Sequence, residues 1–161
     1  MKKAFLYILV SVLVIQILVP VCKIWEKYDV LKNGVEVKMK VAPIDPYDAF
    51  RGRYVSLSYS DRVVMRNGKY GVLEIDEDGF ATLIKVVSKK PENGIYITSK
   101  DEYFSIPLRR YYMEETLAPK AELMLNGDGE AYVTIRIKGD KAVLSGLYVE
   151  GRPIEEVLSV E

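Results

Sequence analysis

The sequence predicts a mainly β protein with one short helix: a small antiparallel β-barrel or sandwich domain behind an N-terminal transmembrane helix. Three observations carry this. A basic head, Met1-Lys2-Lys3, leads into the uncharged run Ala4 to Val21, 18 residues broken only by Ser11, Gln16 and Pro20. From Val35 onward the dominant hydrophobic period is two, the mark of half-buried strands. Turn dipeptides, among them Asn67-Gly68, Asp78-Gly79 and Gly139-Asp140, separate those strands at short intervals. The implied organisation is an anchor over residues 1–22, a juxtamembrane linker over 23–34 and one extracytoplasmic β domain over 35–161.

The apolar run meets the lower limit for crossing about 30 Å of hydrocarbon at roughly 1.5 Å per residue. It is longer than the apolar core of a cleaved signal peptide. No small-x-small site follows it either, because Leu18-Val19-Pro20-Val21 places bulky residues there. A retained anchor is therefore expected. Acylation at Cys22 would want a small residue where Val21 stands. Lys2 and Lys3 precede the span, whereas Lys23 and Lys27 after it are interleaved with Glu26 and Asp29. A short basic head stays inside, which puts the domain outside the cytoplasmic membrane. Trp25 and Tyr28 suit the membrane interface, and Trp25 suits equally a place against the domain.

In the β region, Val35, Val37, Met39 and Val41 alternate with Glu36, Lys38 and Lys40. Arg53 to Ser60 makes a second strand, with Val55, Leu57 and Tyr59 on one face and Tyr54, Ser56 and Ser58 on the other. Tyr70 to Ile75 and Phe80 to Val87 form a hairpin around Asp78-Gly79. Ile95 to Thr98 is a short strand after the break at Pro91-Glu92-Asn93-Gly94. Glu130 to Lys138 turns at Gly139-Asp140 into Ala142 to Val149. Helical spacing is confined to Glu114 to Leu125, where Ala118, Ala121, Glu122 and Leu125 share a face.

Composition removes many functions. Lys plus Arg (23) balance Asp plus Glu (23), so there is no basic field for nucleic acid. The absence of His excludes imidazole bases, Ser-His-Asp triads and His-ligated zinc. One Cys allows neither an intrachain disulfide nor a thiolate cage. Asp76-Glu77-Asp78-Gly79 and Asn126-Gly127-Asp128-Gly129 lack the register of a calcium loop and read as hairpin turns. No metal, cofactor or catalytic residue is assigned. A single Gln and four Asn beside abundant Lys, Glu, Val and Ile lean toward a thermophilic source.

The most informative segment is Pro43 to Tyr59. Asp45 caps a turn that begins at Pro46, and Gly52 lets the chain swing into the strand at Arg53. Besides that structural role, Arg51, Arg53 and Tyr54 form a rim suited to an anion or a partner loop. A second run, Arg109 to Glu115, alternates Arg110 and Tyr112 on one face with Tyr111 on the other before Glu114 and Glu115 open the helix. A buried Arg–Glu pair between tyrosines is expected to dock that helix on the sheet. The candidate binding residues are Arg51, Gly52, Arg53, Tyr54, Leu57, Tyr59, Arg110, Tyr112 and Glu115.

Gly52-Arg53-Tyr54-Val55-Ser56-Leu57-Ser58-Tyr59 resembles the signature of the GDYXXLXY family, exported or membrane-anchored bacterial proteins. Gly52, Tyr54, Leu57 and Tyr59 match it, and Arg53 stands where the signature has Asp, so a role needing that carboxylate does not carry over. The resemblance extends to Asp45 to Arg51 and to Arg110-Tyr111-Tyr112-Met113-Glu114-Glu115. It implies no established activity, and it implies genes that neighbour those of polytopic membrane proteins.

The expected function is a binding or assembly module anchored through residues 4–21 and working with a polytopic membrane protein. Ser11 or Gln16 is available to hydrogen-bond with a partner helix. The alternatives are a small-ligand-binding domain and a membrane-bound hydrolase of the Ser–Lys, signal-peptidase-like type. The hydrolase needs a Ser hydroxyl within about 3 Å of a Lys amine in a cleft.

Overall fold

The computed structural model describes residues 2–44, 54–59, 68–114, 117–125 and 130–159. Helix α1 occupies Lys2–Asn33, a continuous 32 residues. Residues 23–33, read above as a linker, are thus helical and carry on from the apolar run. At about 1.5 Å per residue α1 is roughly 48 Å long, whereas a hydrocarbon core needs about 30 Å. Its side chains from Leu6 through Val21 are exposed, as a membrane-crossing helix requires. Ser11 Oγ donates to the Tyr7 carbonyl at 2.9 Å, which spends that hydroxyl on its own helix and leaves Gln16 as the polar candidate in the run. Trp25 is 75% exposed and does not pack on the domain.

The β domain comprises β1 (Val35–Ile44), β2 (Tyr54–Tyr59), β3 (Tyr70–Ile75), β4 (Ala81–Val87), β5 (Ile95–Thr98), β6 (Arg110–Tyr112), α2 (Ala118–Leu125), β7 (Ala131–Lys138), β8 (Lys141–Val149), β9 (Arg152–Pro153) and α3 (Ile154–Ser159). Six strands form one sheet in the order β6-β2-β1-β7-β8-β9 and three form a second, β4-β3-β5, with every strand pair antiparallel. β1 is shared lengthwise: Val35 to Lys40 pair with β7, and Val41 to Ile44 pair with β2. The ladders do not close a ring, so of the two expected architectures the sandwich-like one is found.

Alternation builds the core. Val37, Met39 and Val41 from β1 meet Val133, Ile135 and Ile137 from β7 and Leu147 from β8, all buried. Leu73, Leu83, Val86 and Ile97 face them from the smaller sheet, and Ala121, Leu125, Ile154 and Leu158 cover the core from α2 and α3. At the β3–β4 turn, Asp76 Oδ1 accepts from Phe80 N at 2.7 Å and Gly79 has φ +84°, the conformation its place in the turn demands. Lys38 N donates to the Gly79 carbonyl at 2.9 Å and ties this turn to β1.

Two elements depart from the sequence expectation. Helix α2 begins at Ala118 instead of Glu114, because Pro119 lacks an N–H and is tolerated only in a first turn. Helix α3 was not expected: six residues are too few to show a period, and Ile154 and Leu158 are buried through contacts visible only once the sheet is formed.

Helix α1 is joined to the sheet without slack. Gly34 N donates to the Val30 carbonyl at 2.8 Å, and Val30 is 1% exposed. A Cβ on Gly34 would lie 2.4 Å from the Val30 carbonyl oxygen and 3.1 Å from Ile137 N, both backbone atoms. Asp29 pairs with Lys138 at 2.7 Å, and Glu26 pairs with Lys141. Because the clash at Gly34 is with backbone, Gly34→Ala should lower the unfolding free energy by on the order of 1–3 kcal/mol. Thermal unfolding of the full chain in detergent checks this, and an unchanged midpoint would contradict the close approach.

Candidate functional site

The candidate residues separate into three groups. Arg51, Gly52, Arg53 and Glu115 lie outside the described residues. Tyr54 starts β2, where it pairs with Tyr112 across the ladder to β6. Leu57 and Tyr59 belong to the core, at 1% and 7% exposed. The Tyr59 hydroxyl donates to the Leu108 carbonyl, and burial pushes its pKa well above the ordinary tyrosine value. These two side chains hold β2 against the segment that leads into β6.

Arg110 and Tyr112 are exposed on β6, with Tyr111 half-buried between them. The expected buried Arg–Glu pair is therefore corrected, since the alternation of β6 turns Tyr111 inward and Arg110 outward. The inward tyrosine makes the docking contact: its hydroxyl donates to Glu155 Oε1 on α3. Burial is the main cause that raises the Tyr111 pKa, and the Glu155 carboxylate adds to it.

The path from β5 to β6 sets where Arg109 to Tyr112 stand. Ser99 is buried, and its Oγ accepts from Ser105 N at 3.2 Å. Phe104 packs directly over Gly71 of β3, where any Cβ would lie 2.2 Å from the ring. Ile106 is also buried. The chain then emerges through Pro107 and Leu108 onto the edge of the larger sheet.

Here a groove of about 620 Å³ opens, lined by Lys27 of α1, Pro107 to Tyr112, and Ala142, Val143 and Leu144 of β8. A second cavity of about 440 Å³ shares Lys27, Pro107, Ala142 and Val143 with it and continues past Val30, Glu26 and Lys23. The two form one trough beside α1, from Lys23 near the apolar run to Tyr112 on β6. In the first part Lys27, Arg109 and Arg110 supply three cations, and no carboxylate is among the described lining residues. Sequence reasoning found Arg110 and Tyr112 but not Lys27, Arg109 or the β8 wall. The Arg109-Arg110 pair was a usable signal; the approach of Lys27 was not.

The trough floor is braced at its helix-proximal end by the β7–β8 turn. Asp140 Oδ1 accepts from the Tyr96 hydroxyl at 2.7 Å and pairs with Lys90 at 3.1 Å. The Tyr96 hydrogen bond, followed by that of Lys90, holds the Asp140 carboxyl below its ordinary pKa. Lys141, the next residue, is the partner of Glu26 on α1. Elsewhere on the sheet Tyr132 stacks on Tyr148 at 5.1 Å, with Phe80 edge-on to Tyr132. Lys38 lies over Phe80 and Tyr132, and Lys40 over Phe80. Among the described residues no group of three His, Cys, Asp or Glu is placed to hold a metal ion.

The family model described as GDYXXLXY protein matches residues 16–147, most of the chain. No curated protein and no solved structure matches it.

Two outcomes follow from the geometry. Tyr111→Phe removes the hydroxyl that ties β6 to α3 and should cost about 1 kcal/mol of stability, read by urea unfolding; no loss would deny that bond a structural role. Asp140 has a folded pKa below its unfolded value of about 3.9, so its contribution is present above that value and is lost as pH falls through the folded one. The difference in unfolding midpoint between the native chain and Asp140→Asn should hold at pH 7 and shrink progressively as pH falls below about 3.9, whereas a difference independent of pH would contradict the assignment.

Proposed function

We propose that this chain, which belongs to the GDYXXLXY protein family, is a membrane-anchored extracytoplasmic binding or assembly module whose partner is an integral membrane protein. One observation carries the reading: α1 is long and apolar enough to cross a membrane, and its last turns are built into the β domain. A domain held so closely to its anchor is kept at the membrane surface in one orientation, which suits a partner that also lies in the bilayer. Gln16 stands in the apolar run with an exposed side chain and offers a polar contact to a partner helix.

Orientation rests on the charged flanks. Lys2 and Lys3 stay on the cytoplasmic side of the inner membrane, and the domain lies beyond it. Serine chemistry is less well supported. Ser99 Oγ accepts from backbone amides, Ser105 Oγ donates to Asp101, and Ser145 Oγ bonds Thr134. These hydroxyls are engaged in holding loops and a bulge, an arrangement that favours a binding module over a Ser–Lys hydrolase.

The test is to cross-link the full-length protein in its own membranes, purify it in mild detergent and identify what accompanies it by mass spectrometry. Stoichiometric recovery of a polytopic membrane protein is expected, with loss when residues 1–22 are exchanged for an unrelated anchor. Recovery of the chain alone would overturn the assembly reading.

A further inference from the structure

We propose that Asn93 is a site of spontaneous modification through a succinimide, and that the joint between α1 and β1 guards Asn33 against the same reaction. Neither half depends on a membrane or on a protein partner.

All four Asn of the chain, Asn33, Asn67, Asn93 and Asn126, are followed by Gly. Asn67 and Asn126 lie outside the described residues. An Asn side chain reaches neighbouring main-chain groups readily, and a following Gly has no side chain to hinder approach to its nitrogen. That nitrogen loses its proton and bonds to the Asn Cγ. The Cγ–Nδ2 bond breaks, and Nδ2 leaves as ammonia with the proton. Water then opens one or other C–N bond of the imide ring, giving Asp or isoaspartate. Water is the sole co-reactant.

Asn93 meets the requirements of this chemistry. Asn93 and Gly94 are both exposed, in the turn between β4 and β5. Among the described residues no hydrogen bond holds the Asn93 amide or the Gly94 nitrogen. Gly94 has φ +95°, and a Cβ built on it meets nothing within 4 Å. There is room for the ring, and for the extra main-chain carbon of isoaspartate.

Asn33 has the same exposure and the same neighbour but a different geometry. Its Nδ2 donates to Asp29 Oδ1 at 2.7 Å, and the Gly34 nitrogen donates to the Val30 carbonyl at 2.8 Å. Both the leaving group and the nucleophile are thus engaged. Asn33 is also the last residue of α1, and helical backbone angles keep the Gly34 nitrogen away from the Asn33 Cγ. Expansion here is blocked, because a Cβ on Gly34 would already lie 3.1 Å from Ile137 N. Asp29 therefore has a second task beside its pairing with Lys138: it holds the side chain whose modification would open the joint.

The full-length chain in detergent is incubated in mildly alkaline buffer made with heavy-oxygen water, which marks reactions of the incubation itself, and the two sites are followed by peptide mapping. With each hydrogen bond slowing local opening by roughly fivefold, Asn33 should react on the order of 25-fold more slowly than Asn93 in the folded chain. In urea the two should react at similar rates. Asp29→Ala should speed reaction at Asn33 by about fivefold and leave Asn93 unchanged. Lys138→Gln removes the ion pair but leaves the Asn33–Asp29 bond, and should speed neither site. Equal rates at the two sites in the folded chain, or reaction at Asn93 only after unfolding, would overturn the proposal. Acceleration at Asn33 by Lys138→Gln as large as by Asp29→Ala would overturn the guarding role of Asp29.

Discussion

The close approach of α1 to β7 at Gly34 is the constraint on which the rest of the structure depends. Gly34 passes so near the Val30 carbonyl and the Ile137 backbone that no side chain fits. Val30 is thereby seated in the domain, and Asp29 and Glu26 come opposite Lys138 and Lys141. These ion pairs are about half exposed and add little stability. Their value is directional, since they set which face of the helix meets the β7–β8 hairpin. Burial of Val30 and the backbone hydrogen bond from Gly34 carry the attachment itself.

The trough exists because of that attachment. Its walls come from three distant parts of the chain: the end of α1, the segment before β6, and the first half of β8. β6 is an edge strand, and β8 is paired to β9 only at Tyr148 and Val149. The larger sheet therefore stays open between β6 and the start of β8, with Tyr111 spanning to Glu155 on α3. An open seam beside α1, with cations on its rim, is where the architecture leaves room for a ligand.

Much of this was legible in the sequence, and for physical reasons. Strands with clean alternation and a turn dipeptide declared themselves: Ile95 to Thr98 is found as read, and the hairpin around Asp78-Gly79 pairs Ile75 with Ala81. The apolar run declared by its length a helix able to span a membrane. The continuation of α1 through Asn33 was not legible, because Lys23 to Asn33 is polar on most faces and its one committed apolar residue, Val30, is explained only by β7 and β8. The site was half legible. Arg110 and Tyr112 stood out as an exposed face of an alternating run, but the roles of Arg110 and Tyr111 in docking were exchanged. Strand alternation fixes that two faces differ, and only the approach of α3 decides which one is covered.

The central claim, that anchor and domain form one rigid unit, is tested most directly by a spin-label distance across the joint. With Cys22 replaced by Ser, labels at Ile17 in the span and Glu92 in the exposed loop before β5 would be measured by pulsed dipolar spectroscopy in lipid nanodiscs. A single narrow distance distribution is predicted, broadened on insertion of a flexible Gly-Ser segment after Asn33. A broad distribution in the native chain would contradict the account and return residues 23–34 to the status of a linker.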